Sequence, residues 1–158
     1  METLDLVNYG LVWAFLGACI TACFGAIGSA MGSGIVGQAA TGLTAEKPEL
    51  GMKAIILEAL PGSQAIYGFV GLFFVVYVVL PKYEVLTAVQ GFQIFVASLP
   101  VGIAGITSGF YQGKVLAGSM NMLAKDEGTF ANAMIMGAIV ETVAILGLLG
   151  TILMLLKV

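Results

Sequence analysis

One carboxylate stands alone in a strongly apolar part of this sequence. Glu141 lies in AIVETVAILG, residues 138–147, and the next charged residue after it is Lys157. An ionised carboxylate inside a bilayer is costly unless it is protonated, paired or bound to a cation. The position of Glu141 therefore predicts a functional group that carries a proton or binds a cation.

A second segment, LEALPGSQAIYG at residues 57–68, offers further polar atoms. Pro61 cannot donate a hydrogen bond to the carbonyl four residues earlier, and Gly62 loosens the same turn. The two residues therefore predict an opened helix with available backbone oxygens. Ser63 and Tyr67 follow one turn apart, on one face of the helix. A hydroxyl and a freed carbonyl are thus expected at one depth.

Two amides add to this set. Gln64 lies in the same segment, and Gln112 lies almost two turns beyond Gly105 in a later apolar stretch. If three helices meet at this level, the carboxylate of Glu141, two amide oxygens, a hydroxyl and a carbonyl form a cage suited to a hard cation. A proton needs only the carboxyl, whereas a dehydrated Na⁺ needs several oxygens to replace its water. The excess of oxygens favours Na⁺, although each amide or hydroxyl taken alone has an equally good structural role.

The composition is that of a membrane protein. The chain has 158 residues, of which 59% are hydrophobic and 9% are charged, and its mean hydropathy is +1.05. Soluble domains carry about 25% charged residues. The six basic residues are all lysines and histidine is absent, so nucleic-acid binding and histidine chemistry have no support.

Four apolar stretches are long enough to cross a membrane. A bilayer core about 30 Å thick requires roughly 20 apolar residues per helix. We predict four transmembrane helices at about residues 9–44, 50–80, 86–124 and 129–156. The lysines concentrate in and beside the first and third breaks, so the positive-inside rule places those loops in the cytoplasm and both termini outside. The fold expected is an all-α, multi-pass membrane protein.

A shift by half the length of the chain aligns the sequence with itself. The aligned pairs include Ser29 with Ser108, Gly34 with Gly113, Ala65 with Ala144 and Gly68 with Gly147. This repeat predicts a duplicated helical hairpin, with helices 1 and 2 in residues 1–79 and helices 3 and 4 in residues 80–158 of one membrane domain. The position equivalent to Glu141 is Gly62, so the duplicated unit has one carboxylate where two could stand.

Small residues recur at every fourth position of helices 1 and 3. They are Ala26, Ala30 and Gly34 in the first half and Gly105, Gly109 and Gly113 in the second, with Gly28 and Gly32 as a further pair. Such stripes let helix backbones approach closely, which is a main source of helix association in lipid. Matching stripes in both halves favour the assembly of many copies into a ring over packing within one chain alone. Cys19 and Cys23, on one face of helix 1, are expected to be small buried packing residues.

Three segments, PGSQAIYG, SGFYQGKV and VETVAILG, occur in this order on the duplicated chain. The whole chain thereby resembles the rotor-ring proteolipid, the c or K subunit, of V-type ATPases, and is most similar to the bacterial sodium-pumping branch. The resemblance implies that Tyr67 hydrogen-bonds Glu141 and holds it in position. It further implies that Na⁺ is held by the side chains of Ser63, Gln64, Gln112 and Glu141 and by the backbone oxygen of Leu60. Ser63 stands where this branch can have Thr.

The function expected from these features is that of a non-catalytic rotor subunit in a cell membrane, favouring the bacterial plasma membrane. Many copies form a homo-oligomeric ring that turns against a stator, and each Glu141 takes up Na⁺ on one side and releases it on the other. Release requires a positive charge on the stator, and because the chain has no Arg, a partner subunit must supply it. No phosphate-binding G-x-x-x-x-G-K-[ST] loop occurs, so ATP hydrolysis belongs to other subunits. Central-stalk subunits and membrane lipids are the further partners expected.

Two alternatives stay open at this point. The same rotor can carry H⁺, in which case the titration of Glu141 would be insensitive to Na⁺. A passive cation channel or structural hairpin assembly would instead conduct when reconstituted alone. Glu58, one turn before Gly62, is left outside the ligand set. It is expected at a helix interface or toward the headgroups, either neutral or paired with Lys53.

Overall fold

The computed structural model describes the backbone of residues 2–158 and the side chains of residues 9–158, and it contains helices joined by short turns. The α-helices are α1 (Glu2–Glu46), α2 (Gly51–Ala59), α3 (Ser63–Phe74), α4 (Ala88–Lys125) and α5 (Phe130–Leu155). No strand occurs among the described residues. The prediction of an all-α fold is confirmed.

Four helical stretches are long and apolar enough to cross a membrane. These spans 1 to 4 are Tyr9–Glu46, Pro48–Lys82, Ala88–Lys125 and Glu127–Leu155. The predicted helices match them within a few residues at each end. Span 2 differs from the others because it contains three helical geometries: α2 and α3 are separated by a 3₁₀ turn at Leu60–Gly62, and α3 runs into a π-helical turn at Val75–Val79. The sequence predicted the first of these interruptions but not the second.

The two long helices α1 and α4 form the centre of the bundle through glycines. A Cβ atom placed on Gly28 would overlap the carbonyl oxygen of Gly105, and one placed on Gly113 would lie 2.6 Å from the Cα of Gly32. Only glycine allows backbones to approach this closely. The stripe in α1 that meets α4 is therefore the Gly28 and Gly32 pair. A Cβ atom on Gly34 would meet nothing within 4 Å, so the stripe of Ala26, Ala30 and Gly34 faces outward, away from the rest of the chain.

Two apolar clusters occupy the ends of the bundle and leave a buried polar layer between them. One cluster lies at the end of the bundle where α1 and α4 finish, and it includes Val36, Leu43, Leu57, Leu116 and Leu123. The other, at the end that holds the termini, includes Ala14, Val75, Val79, Ile94 and Leu155. The buried polar residues between them include Ser29, Gln64, Ser108 and Gln112. Span 2 packs on α1 and span 4 packs on α4, so this layer lies where both hairpins meet.

The two hairpins run in the same direction. The turn that follows α1 and the turn that follows α4 lie at the same end of the bundle. There, Lys53 Nζ lies 2.7 Å from Glu127 Oε1, and Lys47 Nζ donates to the carbonyl of Ala124 over 2.5 Å. The parallel orientation predicted from the repeat is thus observed. The division of the chain into units at residues 79 and 80 remains a prediction.

The expected burial of two cysteines is wrong. Cys19 and Cys23 are both exposed in the single chain. They lie on the opposite side of α1 from Gly17, Gly25 and Gly28, through which the helix packs on the rest of the bundle.

Candidate cation-binding site

The break in span 2 changes which backbone oxygens are available. Because Pro61 has no N–H, the helix tightens, and the N–H of Leu60 donates to the carbonyl of Leu57. The carbonyl four residues before Pro61 is therefore not free, contrary to the simple expectation for a proline kink. The carbonyl of Leu60, within the 3₁₀ turn, accepts two hydrogen bonds. One comes from the backbone N–H of Ser63 and the other, over 3.0 Å, from the Ser63 hydroxyl.

Span 1 stabilises the same break from the other side. The N–H of Ala65, which would reach the carbonyl of Pro61 in a regular α-helix, instead donates to Ser29 Oγ over 2.8 Å. A Cβ atom on Gly25 would overlap the carbonyl oxygen of Gln64, so the two backbones are in direct contact. Ser29 was not predicted as part of this region. The alignment of Ser29 with a serine in the second half marked the position but gave no hint of its partner.

Glu141 projects from α5 toward span 2 and is half-buried. The Tyr67 hydroxyl donates to Glu141 Oε1 over 2.6 Å. The second carboxylate oxygen, Oε2, lies 3.5 Å from Gln112 Nε2, which also donates to the carbonyl of Gly137 over 3.0 Å. One carboxylate oxygen thus has a strong partner, and the other has a weak one.

The two amides link the helices across the centre of the bundle. Gln64 Nε2 donates to Gln112 Oε1 over 2.8 Å, and both side chains are 0% exposed. Gln64 Oε1 lies 3.5 Å from Ser63 Oγ, which is at the limit of a hydrogen bond. The chain of contacts from Ser63 through Gln64 and Gln112 ends at Glu141, so three helices contribute to one polar cluster.

An open cleft of about 490 Å³ gives access to this cluster from the outer surface, between spans 2 and 4. Its lining residues are Ile56, Ala59, Leu60, Gly62, Ser63, Ile66 and Glu141. The wall is mainly apolar, apart from the Ser63 hydroxyl and the Glu141 carboxylate. A cation reaching Glu141 through this cleft would meet these two groups first.

The oxygens in the cluster suit a monovalent cation. Glu141 Oε2, Gln64 Oε1 and Ser63 Oγ each retain a lone pair that is unused or weakly used. The carbonyl of Leu60 already accepts two hydrogen bonds, so it could bind a cation only after the Ser63 hydroxyl turned its O–H away. No group of three or more His, Cys, Asp or Glu able to hold a metal occurs in the part of the chain that the structure describes. One carboxylate neutralises one positive charge, so a divalent ion here would leave a net charge inside the membrane.

Glu58 lies on the opposite flank of span 2 from Ser63. Its carboxylate lies against α1, since a Cβ atom on Gly37 would be 2.8 Å from Glu58 Oε1. Lys53 does not neutralise it, because Lys53 pairs with Glu127. Of the positions expected for Glu58, the structure thus shows the one at a helix interface and not the pairing with Lys53.

The chain is similar to known membrane proteins over most of its length. A family model described as that of the ATP synthase C subunit matches residues 16–75 and 95–154. The two matched segments are offset by half the length of the chain, which confirms the duplication. The V-type sodium ATPase subunit K of Enterococcus hirae is 42% identical over 93% of this chain and 92% of its own length.

More distant relatives also match most of the chain. The A-type ATP synthase subunit K of Methanocaldococcus jannaschii is 33% identical over 94% of this chain and 64% of its own length. The 16 kDa proteolipid of the V-type proton ATPase of Bos taurus is 27% identical over 90% of each. With two copies of the family's segment and four apolar spans, this multi-pass membrane protein belongs to the ATP synthase C-subunit family.

Proposed function

We propose that this chain is the ion-carrying rotor-ring subunit of a V-type ATPase and that it binds Na⁺ at Glu141. The observation that carries the proposal is the polar cluster in which Glu141, Gln112 and Gln64 are linked across three helices beside an open cleft. Such a cluster within membrane-spanning helices is a functional site by default, because an isolated carboxylate there is costly.

The number of oxygens supports Na⁺ rather than H⁺ as the cargo. A proton requires one carboxyl, and the Tyr67 hydrogen bond alone could position it. Two fully buried amides and the Ser63 hydroxyl are not needed to carry a proton. They are the neutral ligands that a dehydrated Na⁺ needs. The ligands proposed are Glu141, Gln112, Gln64, Ser63 and the backbone oxygen of Leu60.

The outward stripe of α1 supports assembly into a ring. Gly113 of α4 packs on Gly32, whereas the equivalent residue of α1, Gly34, meets nothing within 4 Å. A surface that is packed in one half of a duplicated chain and bare in the other is completed by a second copy. Repeating this contact around an axis closes a ring of identical subunits.

Rotation is coupled to ion occupancy by electrostatics. With Na⁺ bound, the site is neutral and its cleft can face lipid. Without the cation, the carboxylate of Glu141 must remain in a polar surrounding. A positive charge on a stator membrane subunit would supply that surrounding and displace the ion. Since this chain contains no Arg, we assign that charge to the partner. Moving one charge against 100 mV requires about 2.3 kcal/mol, which ATP hydrolysis on other subunits supplies through the central stalk.

The relatives do not decide between the two cations. The more similar Enterococcus hirae protein is named a sodium ATPase subunit, whereas the more distant Bos taurus protein is named a proton ATPase subunit. The choice of Na⁺ for this chain therefore rests on the oxygens around Glu141.

The test is carbodiimide labelling of Glu141 in the detergent-solubilised assembly, across pH and with Na⁺ or K⁺ present. The reagent modifies a protonated carboxyl. We expect Na⁺ to protect Glu141 and Gln112→Ala to weaken that protection. The matched control is Gln38→Ala, which removes the same group from an exposed position on α1. Labelling that depends on pH alone, with Na⁺ and K⁺ equivalent, would assign H⁺ to the rotor instead.

A further inference from the structure

The duplication relates two contacts, each between a central helix (α1 or α4) and the span that packs on it (span 2 or span 4). In the second half, the side chain of Leu116 covers Gly137, where an added Cβ would lie 2.9 Å from Leu116 Cδ2. In the first half, the residue equivalent to Leu116 is Gly37, and the residue equivalent to Gly137 is Glu58. Glu58 covers Gly37 in the same way, with an added Cβ 2.8 Å from Glu58 Oε1. The contact is thus repeated within the chain, with the large and small residues exchanged.

Gly137 has a second contact that has no counterpart in a single chain. A Cβ atom on Gly137 would also lie 3.3 Å from Leu60 Cδ1, which belongs to the other hairpin. When the two halves are exchanged, Glu58 is equivalent to Gly137 and Ile139 is equivalent to Leu60. Ile139 is 64% exposed. The contact therefore lacks its partner unless a second copy provides it.

A second pair of residues follows the same pattern. Glu141 meets Tyr67 between the hairpins, and the equivalent residues are Gly62 and Leu146. A Cβ atom on Gly62 would meet nothing within 4 Å, and Leu146 is 67% exposed. One flank of span 2 and one flank of span 4 are thus both bare at the level where their equivalents pack together.

We propose that Glu58 and Gly62 of one copy pack against Ile139 and Leu146 of the next copy, so that Glu58 is a second membrane-embedded carboxyl at the contact between copies. This inference rests on the ring of the proposed function. Ile139 and Leu146 are apolar side chains that are 64% and 67% exposed in the single chain, and packing against a neighbouring copy would bury both. Glu141 has the amide of Gln112 within 3.5 Å, whereas the Glu58 carboxylate lies against Gly37 of α1.

The test is cross-linking between copies in the full assembly. Cys19 and Cys23 are first replaced by Ser, and Glu58→Cys is combined with Ile139→Cys in one chain. After oxidation or treatment with a short thiol-to-thiol reagent, we expect a ladder of covalent multimers in denaturing gels that is lost on reduction. Neither single-cysteine variant should give the ladder. The matched control is Leu60→Cys with Gly137→Cys, which joins the equivalent positions within one chain and should give only monomers.

The outcomes separate this inference from the proposed function. If the control pair links and the native mass is that of a ring, but Glu58→Cys with Ile139→Cys gives no ladder, the copies meet elsewhere and the inference is overturned while the rotor stands. A native mass of a single chain would overturn both.

A second measurement uses unsubstituted Glu58, in case the cysteine variants fail to assemble. We expect carbodiimide to label it in the dissociated chain but not in the ring, with or without Na⁺. Equal labelling in both states would contradict its burial between copies.

Discussion

Replacing Tyr67 by Phe removes a single hydroxyl from the proposed site. That hydroxyl donates to Glu141 Oε1 over 2.6 Å, a short distance consistent with a charged acceptor. A hydrogen bond to a charged group contributes about 1.5–3 kcal/mol. Since each 1.4 kcal/mol corresponds to about a tenfold change in affinity, the Na⁺ concentration that half-protects Glu141 should rise about 10- to 100-fold. The aromatic ring remains, so the packing between spans 2 and 4 is retained.

The assay is carbodiimide labelling of the solubilised assembly at one pH while Na⁺ is titrated. Tyr77→Phe is the matched control, because Tyr77 lies on the same span but is 67% exposed and stacks on Phe73 rather than reaching the site. Its midpoint should equal that of the unsubstituted chain. If Tyr67→Phe also leaves the midpoint unchanged while its ring stays assembled, the hydrogen bond does not position Glu141 for Na⁺, and that part of the reasoning is refuted.

Two further predictions concern the ligands and the packing. Ser63→Thr keeps the hydroxyl, and because Ser63 lines the open cleft the extra methyl has room, so the Na⁺ midpoint should stay within about threefold, whereas Ser63→Ala should raise it about tenfold. A larger effect of Thr than of Ala in the labelling assay would contradict the role given to the hydroxyl. Gly28→Val would drive a side chain into the carbonyl of Gly105 and should prevent folding, seen as loss of helical protein in circular dichroism and gel filtration. Gly42→Val, at a position with nothing within 4 Å, should be tolerated by the fold, and equal behaviour of the two variants would refute the close-packing argument.

The fold was largely predictable because its main signals are local. Four apolar stretches of sufficient length permit little besides helices in lipid. The alignment of the two halves of the chain with each other established the parallel relation of the hairpins. The lone position of Glu141, the Pro61 break and the two glutamines also pointed to one level of the membrane. The structure links these groups through hydrogen bonds, while their role as ligands remains a proposal.

Other features depend on which face of each helix points into the bundle, and the sequence defines that orientation only approximately. Two small-residue stripes in α1 were available for packing, and only the contact with α4 shows that Gly28 is inside and Gly34 outside. The same uncertainty led to the wrong burial of Cys19. Ser29 was missed because its role arises only once α1 lies against the opened turn of span 2, which frees the N–H of Ala65.

The most direct test of the central claim is equilibrium binding of radioactive Na⁺ to the purified assembly, with Glu141→Gln as the comparison. We expect saturable binding of one Na⁺ per chain, competed by protons, and no binding to Glu141→Gln rings of the same mass. Absence of Na⁺ binding to unsubstituted rings in which Glu141 still reacts with carbodiimide in a pH-dependent manner would contradict the claim and leave a rotor that carries protons.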